Sequence, residues 1–572
     1  MRRRVFLSGV VLAGIGLPVL AGCKVPGWSG RRSGSASASA GGSAGASAVP
    51  AASGAPQGWQ ELDAHVMGHH LGIQVSPLAR RDEKTTVLAL KLTRAKDDPA
   101  VKDISDSTSD SSSNTLEASR PLSRPGRLRT SDWGANGVRL LDLPTNRAWV
   151  ATASVENKVK DNYNNLPLKP GASTSCFVLF GPVDAKQVTV FVPQAGFVTV
   201  NVLDSSAAAA SGIDFKAIDK AFDSVANPDY EAKPDQALAA PVPIERYTKA
   251  LDDSTSTQAG SKDITVTLNS DVTFASDSAD LTPAADTQLQ TVADQLDQYP
   301  DGGTLTIVGH TDDVQDDAYN QTLSDKRANA VKTKLQQLTN LDKWNPTTTG
   351  KGESEPRVKD TTDEARAANR RVEITLTPTG GTNPKDSNTT ATPSSSSGSG
   401  GGKLPDPQGP VAKGPEGITL TSKDTDTSSK VTITLDHLTR QDGYLLGTIT
   451  CAIKDGSTGA PLHPLLEDPQ TLLANQRDED GSALPTFNAS DGLTLIAGGE
   501  RIFPADYLDA DAEHHLPLTE LNISDHLKTG TTTICTIWPD PGGDTIALDH
   551  PDGKYAVKDT AYRLTDIPIK NS

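Results

Sequence analysis

Two stretches of this chain are unable to build a core, and their positions decide how many cores it has. From Ser29 to Gly58 the sequence is nearly all Ser, Gly and Ala, and from Thr379 to Gly414 it is again low in complexity, with Ser395 to Gly402 at its centre. Such compositions bury too little apolar surface to fold and behave as flexible coils. A softer boundary, rich in Pro, Ala and Asp, runs from Asn227 to Lys262. The 572 residues are too many for one core. They divide into folded blocks at 59–226, 263–378 and 415–572, joined by linkers at 227–262 and 379–414 and preceded by a tether at 23–58. The overall apolar fraction of 35% and aromatic fraction of 4% understate the blocks, because the linkers dilute them.

The first residues concern location. Arg2, Arg3 and Arg4 precede a stretch, Val5 to Leu20, that is apolar apart from Ser8. That is the layout of a secretory signal, and the stretch is short for a permanent span, which needs about 20 residues. It ends in Leu20-Ala21-Gly22-Cys23, which resembles the lipobox of bacterial lipoproteins. The resemblance implies a signal peptide at 1–22 and a mature chain that begins at Cys23. It also implies that the Cys23 thiol carries diacylglycerol, with fatty chains of the palmitate kind. One chain binds a membrane only marginally, whereas two or more anchor it stably. The expected location is the extracytoplasmic face of a membrane, the outer one if the envelope has two. The tether, at about 30 residues, then reaches roughly 30 Å root-mean-square from the lipid.

A formal charge of −18 repels phosphate backbones, so nucleic acid is excluded as a partner. It also repels anionic wall polymers at long range, so a wall ligand has to be caught by a specific pocket.

The outer blocks look like copies of one unit. Ile73 to Asp82 (IQVSPLARRD) matches Ile433 to Asp442 (ITLDHLTRQD) without a gap, and Leu168 to Cys176 matches Leu527 to Cys535 at nearly the same spacing. Short period-2 runs such as Thr86 to Leu92 and Leu445 to Ile453, bounded by Asp, Gly and Pro, read as antiparallel strands. Both blocks are expected to be β-sandwiches that resemble the immunoglobulin-like modules of secreted bacterial proteins, an architecture that names no function. An exported setting permits disulfides. Cys451 and Cys535 lie on strands of one block and are expected to bridge, contributing about 4 kcal/mol. Cys176 is expected as a buried thiol.

The middle block reads differently. Ile264 to Leu268 alternates as a strand. Thr282-Pro283 caps a helix whose Ala285, Leu289, Val292 and Leu296 share one face. Thr304 to Val308 is a strand, Ser324 is read as the cap of a second helix, and Arg371 to Leu376 is a closing strand. The order β-α-β-α-β is an α/β layer.

Within it, Phe274 with Leu281-Thr282-Pro283 is followed by Gly309-His310-Thr311-Asp312, Tyr319-Asn320, Leu323-Ser324 and Arg327-Ala328. Gly350, Gly352-Glu353 and Asn369-Arg370-Arg371-Val372-Glu373 complete the series. In order and spacing these resemble the OmpA-like peptidoglycan-binding domain of OmpA C-termini, Pal lipoproteins and MotB stators, over about a fifth of the chain. The resemblance implies non-covalent binding of the diaminopimelate of peptidoglycan. Asp312 is expected to meet its ammonium and Arg327 its carboxylate, through a two-pronged fork that Lys lacks. Thr311 and Asn320 are expected to add neutral hydrogen bonds, Phe274 to line the groove, and either Arg370 or Arg371 to contact the ligand. His310 is read as packing at the edge of the core.

No enzyme signature, cofactor or metal site is read from the sequence. His65, His69, His70 and the Glu513-His514-His515 run lack zincin spacing and are read as surface loops. The expected partners are peptidoglycan and, through the lipid, a membrane. The alternative reading is a scaffold or receptor whose two sandwiches bind a protein partner while the central domain positions it.

Overall fold

The computed structural model describes residues 10–12, 56–100, 114–123, 135–151, 166–216, 218–219, 239–382, 404–423, 428–453, 462–466, 490–509, 514–519, 529–552 and 559–572. Cys23, most of the tether, and residues 383–403 of the second linker lie outside them, as does Leu527 of the second repeat motif. Val10–Leu12, within the expected signal, lies antiparallel along residues 175–177. Among the described residues no helix is long and apolar enough to cross a membrane.

The first block contains β1 (Gln60–Val66), β2 (His69–Val75), β3 (Leu78–Arg80), β4 (Thr86–Arg94), β5 (Arg139–Asp142), β6 (Arg147–Val150), β7 (Ser173–Phe180), β8 (Gln187–Val192) and β9 (Gly196–Leu203). The sequence of β4 explains why both of its faces are covered. Leu88, Leu90 and Leu92 point into the main core of the block, while Val87 and Ala89 join Phe177 and Leu179 on the other side. A short helix at 205–210 with Ile213 and Ile218 packs over that second face.

A connecting segment follows, and much of it is strand rather than linker. Val242–Pro243 pairs with β6, and β10 (Arg246–Ala250) and β11 (Thr255–Ala259) form a hairpin. Ile244 and Tyr247 are buried, and the hairpin's outer partners are strands of the neighbouring blocks.

The central domain has β12 (Ile264–Asn269), α1 (Pro283–Asp297), β13 (Gly303–Gly309), α2 (Asp317–Leu338), β14 (Trp344–Gly350), α3 (Asp363–Asn369) and β15 (Arg371–Pro378). Its strand order is β14-β13-β15-β12, with β13 and β14 parallel. Leu289, Val292 and Leu296 of α1 and Ala328, Val331 and Leu335 of α2 pack on Val266, Leu268, Leu305, Ile307, Ile374 and Leu376. The strands and helices expected from periodicity are present, with β14 and α3 added to them. β14 escapes a period-2 reading because it is a Pro346- and Thr-containing edge strand with little apolar content. The second helix also starts earlier than expected, at Asp317. Asp316 is its cap and accepts from Tyr319 N at 2.9 Å, and Ser324 is buried two turns in.

The last block contains β16 (Ile418–Lys423), β17 (Ser428–Thr434), β18 (Leu438–Gln441), β19 (Tyr444–Ile453), β20 (Thr494–Ala497), β21 (Glu500–Ile502), β22 (Asp506–Asp509), β23 (His514–Pro517), β24 (Gly530–Pro539), β25 (Thr545–His550) and β26 (Tyr562–Asn571). It follows the pairing scheme of the first block. β19 lies against β17, β18 and β24 as β4 lies against β2, β3 and β7. β18 runs parallel to β26 as β3 does to β9. β25, β20 and β21 succeed one another as β8, β5 and β6 do.

The expected disulfide does not form. On β19 and β24 the register sets Cys451 opposite Thr532 and Cys535 opposite Thr448. That offset of three positions sends the two side chains to opposite faces of the sheet. Cys451 points into the core of its own block, where burial pushes its thiol up to about 12. Cys535 faces outward with Tyr444, Leu446 and Ile537, against Leu141, Ala148 and Phe191 of the first block. Cys176 is a buried thiol inside the first block, its pKa also raised to about 12 by burial.

The three blocks are stitched together. Tyr444 Oη donates to Asn146 Oδ1 at 2.7 Å and Thr532 Oγ1 to Gln194 Oε1 at 2.9 Å, both between the outer blocks. β10 adds to β21, and β11 adds to β12. One sheet therefore runs from the central domain into the last block.

Candidate functional site

The site forms where β13 ends. A Cβ on Gly309 would lie 2.3 Å from Ser324 O, and one on Gly350, its partner across β13 and β14, 2.4 Å from Asp325 N. The missing side chains let α2 rest against the strand ends. Ser324 Oγ then accepts from Gly352 N at 2.9 Å, and Asp325 Oδ1 from Gly350 N at 2.6 Å. Arg327 follows within the same turn, so its backbone is pinned by these contacts.

Arg327 is 5% exposed and lies with its guanidinium carbon 5.1 Å from the ring centroid of Phe274, which is itself buried. Its Nε donates to Ser278 O at 2.9 Å. Among the described residues its two terminal nitrogens donate to no protein acceptor. Burial lowers the pKa of Arg327, while Asp271, Asp277 and Asp312 oppose that shift. The ring beneath and the carbonyl at one end fix the plane of the fork, and Asp271, Asp277 and Asp312 lie near enough for their charges to act on it.

Asp312 lies in the loop after β13. Its Oδ2 accepts from Arg370 Nη1 at 2.7 Å, and its Oδ1 from Val314 N at 3.3 Å. Arg370 is held from the other side by Asp271, through bonds of 2.7 and 2.6 Å. Hydrogen bonding to Asp271, and then to Asp312, raises its pKa. Asp313 pairs separately with Arg366 at 2.7 Å. Asp312, Arg370, Asp271 and Arg327 thus form one cluster of alternating charge.

The remaining expected residues take distinct places. Thr311 donates its backbone N–H to Gly352 O, and its buried Oγ1 makes no hydrogen bond among the described residues. Asn320 is 1% exposed, and its amide bonds Asp312 O and Gln315 O, each at 3.1 Å, and Glu353 Oε2 at 2.6 Å. It is a clamp on the loop. Arg370 adjoins Asp312, whereas Arg371 pairs with Glu373 at 2.7 Å beside His310. Burial, with the Arg371 charge, drops the pKa of His310 to about 4, so the imidazole is neutral at pH 7. Asp271 and Ser278 were missed. Asn269-Ser270-Asp271 at the end of a strand is a capping sequence, a signal that could have put Asp271 on a turn without defining its partner.

The sequence profile of the OmpA family matches residues 273–370. Outer membrane porin F of Pseudomonas aeruginosa is 41% identical over 108 residues, which are 19% of this chain and 31% of that protein. YfiB of Escherichia coli is 36% identical over 111 residues, which are 19% of this chain and 68% of that protein. Among solved structures, the cell wall anchor of the T6SS from Pseudomonas aeruginosa shares 28% identity over 22% of this chain and 90% of that one, with a TM-score of 0.20. The chain spans about a third of the length of the porin and about two thirds of YfiB. By its central domain, the chain belongs to the OmpA family.

Proposed function

We propose that this protein anchors a membrane to peptidoglycan without covalent chemistry. Lipid on Cys23 holds one end, and the central domain grips the diaminopimelate of the stem peptide. The observation that carries this reading is the Arg327 fork, buried on a phenyl ring with its terminal donors open, beside the Asp312 carboxylate. Such a pair fits a ligand end that bears a carboxylate and an ammonium close together. Arg327 takes the carboxylate by two parallel bonds and Asp312 the ammonium. Phe274 and Asn320 position these two groups, and Arg370 tunes the charge of Asp312. Family membership supports the same reading, and so does the exported, lipobox-like N-terminus.

The flanking blocks are read as immunoglobulin-like modules that form a frame. The frame holds the central domain through the β10–β11 hairpin.

The test uses the whole chain sedimented with purified, protein-free peptidoglycan, beside Asp312→Asn and Arg327→Lys. Binding that either substitution abolishes and free diaminopimelate competes away supports the pocket. Equal retention of all three chains moves wall binding to the flanking blocks.

A further inference from the structure

The connecting segment meets both outer blocks at a single corner, and that corner gathers a ligand set. Glu245 lies between Val242–Pro243, paired with the first block, and β10, paired with the last. Its backbone exchanges two hydrogen bonds with Asp506 at the start of β22, Glu245 N to Asp506 O at 2.8 Å and Asp506 N to Glu245 O at 3.1 Å. β23 pairs with β22 and brings in His515 from the same hairpin. His515 is therefore a strand residue with a 9% exposed side chain, not a surface loop residue.

One nitrogen of His515, one oxygen of Glu245 and one of Asp506 lie within 4.8 Å of one another. His515 Nε2 and Glu245 Oε2 are 3.0 Å apart. Gln258 on β11 donates to the same Glu245 oxygen at 2.9 Å, which fixes the carboxylate from behind.

We propose that Glu245, Asp506 and His515 bind one divalent transition-metal ion of the zinc class. Bonds of about 2.0–2.2 Å to these donors in a tetrahedron need ligand atoms roughly 3.3–3.6 Å apart. The His515–Glu245 pair, at 3.0 Å, and a set that lies within 4.8 Å reach that spacing by side-chain rotations. One imidazole and two carboxylates suit zinc, whereas calcium and magnesium prefer all-oxygen sets. Two carboxylates balance the ion's charge, and water takes the fourth position. Only the unprotonated Nε2 of His515 can ligate, so affinity falls in acid. The backbone bridge pre-forms the site by holding two of the three ligand residues in register. An ion there staples the connecting segment to the β22–β23 hairpin, and so sets how the central domain is held. Its role is structural.

The test takes the whole chain, stripped with a chelator, and titrates it with zinc chloride in a calorimeter, and with cobalt(II) while recording its visible spectrum. We expect one ion per chain, tetrahedral cobalt bands, and a zinc-dependent rise in the melting temperature. His515→Gln and Glu245→Gln should each weaken binding about a hundredfold or more, and Gln258→Met, which keeps every ligand, about tenfold. Absence of zinc uptake by the unaltered chain overturns the proposal. So does equal uptake by all of the variants, which would place the ion elsewhere, for example on His65, His69 or His70. Wall sedimentation of the same variants stays unchanged, so this outcome is separate from that of the wall-binding site.

Discussion

Arg94 and Arg327 are buried to nearly the same depth and are bonded in opposite ways. Arg94, in the first block, is fully buried and spends its whole guanidinium on the protein. Nε meets Asp98 at 2.6 Å, Nη1 meets Asn114 O and Leu168 O, and Nη2 meets Pro99 O at 2.6 Å. Arg327, in the central domain, spends only Nε. Burying a cation is expensive in both places, and at Arg94 the structure recovers the cost locally. At Arg327 no described residue accepts from the terminal nitrogens, and under the proposed function the ligand's carboxylate does so. Burial alone therefore does not separate a structural arginine from a candidate site; the partners of its donors do.

Removing the partner should separate the two cases most strongly at Arg94. Asp98 also accepts from His69 Nδ1 at 2.6 Å and His70 N at 2.8 Å. Asp98→Ala leaves a buried guanidinium without its countercharge, at a cost of about 3–5 kcal/mol. Urea unfolding followed through the first block should show that loss, with wall sedimentation of the folded fraction unchanged. A loss below 1 kcal/mol would mean that water reaches Arg94.

A second contrast runs through pH. His310 in the central domain faces Arg371, Glu373, Glu355 and Lys351, and its pKa falls from the usual 6.5 to about 4. Between those values the unfolded chain binds a proton that the folded one refuses, so stability is full above about 6.5 and falls as pH drops toward 4. The loss is roughly 3 kcal/mol over that window. Thermal melts at pH 7 and pH 4.5 should show it in the central domain, and His310→Gln should flatten it.

The same contrast explains what could be read from the sequence. Apolar periodicity located α1, β12, β13 and β15, because their inward faces are continuous. It missed β14, which has Trp344 as its one large apolar residue and Thr at 347, 348 and 349, and it counted strand-forming residues 242–259 as linker. There the stabilising partners are other blocks, which no local pattern reveals. The Cys451–Cys535 pairing failed for a related reason. Sequence placed both on strands of one block, but the pairing and register that separate their faces are tertiary. At the site, Asp312 and Arg327 were legible from the motif series. The tie from Asp271 to Arg370 crosses 99 residues and has no local signature.

Arg327→Lys sharpens the comparison at the next scale down. Lys keeps the charge and the apolar stem but loses the planar fork, hence one of two parallel bonds to a carboxylate. A charge-assisted hydrogen bond is worth about 1.5–3 kcal/mol, so wall affinity should fall roughly ten- to a hundredfold, with little change in melting temperature. Arg94→Lys should do the reverse and lower stability while leaving wall affinity alone. If Arg327→Lys lowered stability as much as Arg94→Lys, the open donors would already be satisfied within the fold.

The smallest expected effect bears on the Asp312 side. Asp271 holds Arg370 by two bonds, and Arg370 gives its remaining donor to Asp312. Asp271→Asn keeps the shape of that contact and removes its charge. Arg370 then has Asp312 as its main carboxylate, neutralises it more fully, and leaves less charge for an incoming ammonium. Asp271 is half exposed, so screening keeps the effect to that of a surface pair, about threefold weaker binding. In Asp271→Asn combined with Arg370→Met the loss should vanish, because the competing cation is gone. Tighter binding by Asp271→Asn alone would sink this account. It would mean that Asp271 fixes Arg370 on Asp312, and that a released Arg370 swings away and opens the carboxylate.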